Sequence, residues 1–426
     1  MSSSNRASAE AAVTAEPSGP AAAHLRASPP DGERVGATLP PHLYLHVPFC
    51  RSRCSYCDFY STSDLSAERA ASFLSDMLGE LDRWRDHGLP GAVKSVYTGG
   101  GTPTAFAHLL PLLGAVTERF PIEEGAEVTV ETNPGVEHPQ LRSLAGIGVT
   151  RVSVGVQSLV DDELRVLGRS HSAEQALSTC AAVHEAGLDL SLDLMCGIPG
   201  QSPESWTHTL ELAIDTGARH ISVYPLALEE GTPLAAACEA GTVRVPDDDS
   251  VASMMLVAEE HLEAAGIARY EVANYAEPGR ESRHNSAYWT GSTYLGVGPA
   301  AHSMFDASTA VAAGVFRRRE PAGDVVRVRV GNAPDMATWV DPATREVECL
   351  DAAQAAREDA MLGLRLTAGI GDELAERARV TEVLESLARE GLVERIGGRW
   401  RTTQRGWLLG NEVYARVWNA DPAGRA

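Results

Sequence analysis

The segment His46-Val47-Pro48-Phe49-Cys50-Arg51-Ser52-Arg53-Cys54-Ser55-Tyr56-Cys57 puts three thiols in one short loop, spaced Cys-x3-Cys-x2-Cys, directly after the β-branched and aromatic run Tyr44–Val47. Three thiolates from one tight loop can ligate three corners of a cubane 4Fe–4S cluster, whereas ordinary four-cysteine clusters fill every corner. One iron is then left open to another ligand. The competing reading is a zinc loop, which needs a closed set of four ligands, with Asp58 as the fourth. The sequence that follows favours the cluster.

From Leu43 onward, short β-branched runs alternate with longer amphipathic segments, the pattern of repeated βα units around a parallel sheet. The expected strands are Tyr44–Val47, Ser95–Tyr97, Glu127–Glu131, Arg151–Gly155, Asp189–Met195 and His220–Tyr224, with helices such as Ala67–Arg85 and Glu204–Thr216 between them. Six such units predict an α/β fold built on a partial, open (β/α)6 barrel, with the site at the C-terminal strand ends. Candidate residues recur at those ends. Gly99-Gly100-Gly101-Thr102-Pro103 follows the second strand, where glycines let the backbone approach a ligand closely. Glu131 ends the third strand and is suited to accept hydrogen bonds from ribose hydroxyls, unless it is only a surface carboxylate. Gln157 follows the fourth, and Arg169 offers a carboxylate-binding fork one helical segment later. Asp193 interrupts an apolar strand and needs a partner or a ligand. A buried structural ion pair is the alternative for Arg169 and Asp193.

A helix is expected at Asp248–Ala265, with Met254-Met255 in its core, then irregular sequence containing Arg283-His284-Asn285-Ser286-Ala287-Tyr288-Trp289. A β-rich stretch follows at Arg317–Val330. The domain expectation is a disordered tail over 1–40, the barrel with its extension over 41–310, a linking β-rich segment over 311–350, and a winged-helix-like domain over 351–426. The tail lacks the apolar core of a secretory signal. No apolar run approaches the roughly 18–20 residues of a spanning helix, and seven cysteines, three of them in one loop, suit a reduced cytoplasmic protein. A net charge of -22 argues against general nucleic-acid binding, although Arg395, Arg399, Arg401 and Arg405 form a local basic cluster in the winged-helix-like segment.

The three-cysteine loop, Gly-Gly-Gly-Thr-Pro, Gly-Val-Gln-Ser and Gly197-Ile198-Pro199-Gly200, in this order, resemble the radical S-adenosylmethionine (SAM) family of oxygen-independent coproporphyrinogen III oxidases, and within it the branch of heme chaperones. The resemblance runs from about Pro41 to the C-terminus. It implies that Cys50, Cys54 and Cys57 hold the cluster and that SAM binds its open iron through methionine amino and carboxylate groups. Tyr44, Tyr56, Gly99, Gly100, Thr102, Glu131, Gln157, Arg169 and Asp193 match the family's SAM-contacting positions. The coproporphyrinogen dehydrogenases carry a fourth cysteine two residues after the third, and here that position is Phe59. Conversely, His284-Asn285-x-x-Tyr288-Trp289 matches the motif that the chaperone branch associates with heme, with neutral imidazole as a suitable axial ligand. His302 is a second candidate ligand.

The reading that results is a cytoplasmic heme chaperone that binds heme, a 4Fe–4S cluster and SAM and delivers heme to recipient hemoproteins such as respiratory enzymes. Homodimer formation is left open. The rival readings are an oxygen-independent coproporphyrinogen III dehydrogenase and a nucleic-acid-binding redox regulator.

Overall fold

The computed structural model describes residues 37–89, 91–315 and 325–420. Six parallel strands form its centre: β1 His42–Val47, β2 Val93–Gly100, β3 Ile122–Thr132, β4 Arg151–Gln157, β5 Asp189–Cys196 and β6 His220–Pro225. Each contains or overlaps an expected run, and helices Ala67–Asp86 and Pro203–Asp215 lie where the amphipathic segments placed them. Local chemistry starts these helices. The Ser66 side chain accepts from Arg69 N–H, and Ser202 forms a capping box with Ser205, satisfying backbone donors that the first turn leaves free.

The sheet is wider than the six expected strands. Two short strands, β7 Ala268–Arg269 and β8 Asn274–Ala276, add antiparallel beyond β6, while β9 Leu295–Val297 pairs parallel with β1. Alternation along each strand sorts the two faces. Leu43, Leu45, Val130, Val152, Leu192 and Val223 face the helices and join Phe73, Met77, Leu112 and Trp206 in one core. Burying each such side chain contributes roughly 1.5–3 kcal/mol. The alternate positions, among them Tyr44, Tyr97, Glu131, Ser153, Asp193 and Ser222, are polar and turn to the concave interior.

Three other expectations need correction. Arg283–Trp289 is a helix, not irregular sequence, because Ser282 caps it and a carboxylate from β3 receives its first backbone N–H groups. A second sheet joins β10 His302–Asp306, β11 Val325–Gly331 and β12 Glu346–Asp351 in antiparallel order, so a boundary at residue 310 cuts through it. Of the expected tail, residues 1–36 lie outside the described residues, but Ala37 and Leu39 are buried against the barrel. Residues 317–324 of the expected β-rich stretch also lie outside them.

The smaller C-terminal unit has a three-stranded sheet, β13 Ile370–Gly371, β14 Val393–Ile396 and β15 Arg399–Thr402, and helices packed on a separate core that includes Leu364, Leu384, Leu387 and Val413. It docks on the loop between β7 and β8. Trp407 Nε1 donates to the Val272 carbonyl at 2.8 Å, and Arg269 lies 4.0 Å over the Trp407 ring. Among the described residues no helix is long and apolar enough to cross a membrane.

Candidate cofactor site at the strand ends

Backbone bonds fix the three-cysteine loop where β1 ends. Cys50 N–H donates to Thr62 O at 2.9 Å, Ser55 N–H to Leu167 O at 3.0 Å, and Leu234 N–H to Ser55 O at 2.8 Å, so three separate segments clamp the loop. Cys50, Cys54 and Cys57 are all free and half-buried. Burial raises the Cys50 thiol and pushes Cys57 up to about 12, so metal must displace these protons on binding. Among the described residues no three His, Cys, Asp or Glu side chains converge as a single metal ion requires. A cubane asks for less, since each thiolate reaches its own iron. Three clustered thiols without a fourth are a donor set that fits such a cluster.

Behind the loop, Arg169 connects much of the expected site. Its Nη1 approaches Cys54 Sγ at 3.4 Å, while Nη2 donates to Asn133 Oδ1 at 2.6 Å and to Gly155 O at 2.5 Å. Asn133 Nδ2 donates in turn to Thr102 Oγ1 at 2.9 Å, and that hydroxyl stands 3.7 Å from Cys50 Sγ. Tyr56 also hydrogen-bonds Arg169. Cys50, Cys54, Tyr56, Thr102 and Arg169 thus share one network. Its link, Asn133, was not singled out from the sequence, although it stands two residues after Glu131 in Glu-Thr-Asn-Pro, a context that reads as a turn. Gln157 is buried beside this network and has φ of 67°, a left-handed conformation that L side chains rarely adopt. A register shift between Gly155 and Gln157 accompanies it. Strain of this kind concentrates at functional positions.

Deeper in the concave interior, Glu131 accepts a hydrogen bond from Tyr97 Oη at 2.7 Å. Burial, followed by the charge of Asp193, raises Glu131 to about 7, and burial raises Asp193 to about 6 despite hydrogen bonds from Ser222 and Ser153. Tyr44, Tyr97, Glu131 and Asp193 nevertheless keep some accessible surface, as the lining of a deep cleft does. Gly99 must lack a side chain, because a Cβ would sit 2.9 Å from the Glu131 carboxyl. At Gly100, φ is 106° and a Cβ would meet the His46 ring at 2.6 Å. At both glycines the backbone lies close against side chains of this chain, Glu131 and His46. Tyr97 and His46 are site neighbours missed at first, and the inward parity of β1 and β2 was the available signal.

The helix carrying the His284 motif is set against β2, where Ser95 and Tyr97 stand. The His284 side chain is 1% exposed, with Nδ1 2.8 Å from Ser95 Oγ and Nε2 3.0 Å from Tyr288 Oη. Both ring nitrogens are therefore engaged, and burial lowers its pKa to about 3. An axial iron ligand would have to exchange one of these two hydrogen bonds for the metal. Asn285 supplies its backbone N–H to Ser282 Oγ. Trp289 packs under Arg365, which also lies over Tyr414 of the C-terminal unit. His302 is half-buried, with Gly331 against its ring.

A three-thiol loop at the head of a partial parallel barrel, with the arginine fork and glycine cradle beside it, defines a radical SAM protein. The chain matches the Radical SAM superfamily over residues 44–213 and the HemN C-terminal domain over residues 350–409. It is 34% identical over 382 residues to the heme chaperone HemW of Mycobacterium tuberculosis, covering 87% of this chain and 93% of that one. HemW of Bacillus subtilis is 31% identical over 388 residues, covering 87% and 97%. The structure of coproporphyrinogen III oxidase (HemN) from Escherichia coli superposes with a TM-score of 0.73 over 89% of this chain and 91% of that one, at 20% identity, which shows a shared fold. The chain belongs to the HemW branch of the HemN-like family.

Proposed function

We propose that this protein is a heme chaperone that holds a 4Fe–4S cluster on Cys50, Cys54 and Cys57, binds SAM at the strand ends, and passes heme to recipient hemoproteins. The observation that carries the cofactor half is the Arg169 network, which sets a cationic fork beside Cys54 and next to Thr102 and Cys50. In that position Arg169 and Tyr56 would receive the methionine carboxylate, and Gly99 and Gly100 would leave room for the amino group. Glu131 and Asp193 would take the nucleoside, with Tyr44 and Gln157 lining its approach. When bound, a reduced cluster of this kind supplies an electron to the sulfonium. The heme half rests on the relatives named heme chaperone, which align over nearly their whole length.

The three-cysteine loop favours the chaperone reading over the dehydrogenase. Phe59, at the position of the dehydrogenases' extra cysteine, is 46% exposed and can donate no thiol. In the C-terminal unit Arg395 pairs with Asp372 and Arg401 with Glu394, while Arg399 and Arg405 donate to backbone carbonyls, so that basic cluster is largely spent internally. Heme titration by Soret absorbance, with iron and sulfide quantified, tests the proposal. Saturable heme binding supports it; SAM-dependent multiple turnover of coproporphyrinogen III with no heme binding would replace it with the dehydrogenase reading.

A further inference from the structure

The helix that carries the His284 motif is tied to β3 through Glu127. That carboxylate receives Arg283 N–H at 2.9 Å, His284 N–H at 3.2 Å and Ser282 Oγ–H at 3.3 Å. Four residues further along β3, on the same face, stands Glu131. Tyr97 lies between helix and carboxylate. Its ring stacks on the His284 imidazole with centroids 5.2 Å apart and planes 26° from parallel, and its hydroxyl donates to Glu131 at 2.7 Å. The imidazole cannot drift, because Ser95 holds one nitrogen and Tyr288 the other, and Ser95 is also 2.8 Å from His42 Nδ1. The Tyr44 ring stacks on the Tyr97 ring at 6.3 Å and lies 6.4 Å from that of His284.

We propose that His284 is a positioning residue for SAM: it braces Tyr97, and Tyr97 holds Glu131 where the ribose hydroxyls bind. The inference rests on the SAM reading above and gives the motif a different role from iron ligation. The bracing has a direction. With the imidazole gone, the Tyr97 ring can tilt into the vacated space, its hydroxyl leaves Glu131, and the carboxylate loses the one side-chain donor that favours its ionised form. Asp193, the other charged group facing Glu131, only disfavours that form.

The test measures SAM affinity by anaerobic equilibrium dialysis on full-length, cluster-replete protein. Tyr97→Phe removes the hydroxyl alone and should weaken SAM binding roughly tenfold, the usual effect of losing a hydrogen bond to a charged group. His284→Ala should weaken it by a similar factor, and by little more in the Tyr97→Phe background, since both act through one contact. Ser95→Ala, a smaller change, should give an intermediate loss and keeps the test alive if His284→Ala fails to fold. A merely structural role predicts a lower melting temperature with unchanged SAM affinity. That result overturns the proposal, as would fully additive losses. Wild-type protein that retains its cluster but binds no SAM overturns the cofactor reading itself and this inference with it.

Discussion

Replacing Arg169 with lysine keeps the charge and removes the geometry. The guanidinium spans two ends of the site, with Nη1 3.4 Å from Cys54 Sγ and Nη2 2.6 Å from Asn133 Oδ1 and 2.5 Å from Gly155 O. A lysine has one nitrogen on a flexible stem and cannot serve both ends. If it stays near Cys54, the Asn133 and Gly155 oxygens, one half-buried and one buried, lose a charged donor; if it turns to them, the fork beside the cluster is gone. Either choice forfeits at least one charge-assisted hydrogen bond, worth about 1.5–3 kcal/mol. Arg169→Lys should therefore weaken SAM binding by about tenfold or more. Cluster content should stay near that of wild type, because no thiol changes. Equilibrium dialysis of SAM, with iron and sulfide measured on the same samples, reads both quantities. SAM affinity within twofold of wild type at full cluster occupancy would refute the assignment of Arg169 as the carboxylate fork.

Other outcomes follow from the same geometry. Cys50→Ala, Cys54→Ala and Cys57→Ala together should abolish the 4Fe–4S absorbance and EPR signals, and a retained cluster would place it elsewhere. Gly99→Ala should reduce SAM affinity with little change in cluster content, since its Cβ would stand 2.9 Å from the Glu131 carboxyl and displace it; unchanged affinity would show that Glu131 does not bind the nucleoside. Glu131 is raised to about 7 in the fold from an ordinary 4.5. Between those values the unfolded chain has released a proton that the folded chain keeps, so this group's stabilising contribution is full below pH 4.5 and is lost as pH rises toward 7. Urea unfolding of apo-protein should then show wild type losing stability relative to Glu131→Gln between pH 5 and pH 8, by on the order of 2 kcal/mol. A pH-independent difference would contradict the raised value.

The barrel was legible because its information is local. β-branched runs punctuated by glycine give β1 to β6, and three cysteines within eight positions mark the loop whatever surrounds them. The helix at Arg283–Trp289 was not legible, since Arg-His-Asn is a weak helical opening and the carboxylate that stabilises it comes from Glu127, more than 150 residues earlier. For the same reason His284 reads as an available imidazole in sequence and as an enclosed one in the fold. Its partners Ser95 and Tyr97 belong to β2 and are set by register rather than by neighbourhood. Asn133 was hidden by its turn-like context, and β9, three residues long, by its brevity.

A protein that carries heme for others must both hold heme and give it up. Cluster-replete protein loaded with one equivalent of heme and freed of excess should be mixed anaerobically with an apo-hemoprotein, and the Soret bands of donor and acceptor followed. The donor band should fall as the acceptor band rises, with the cluster intact. Heme that never binds stably, or that stays on the donor while the acceptor remains empty, would contradict the chaperone reading.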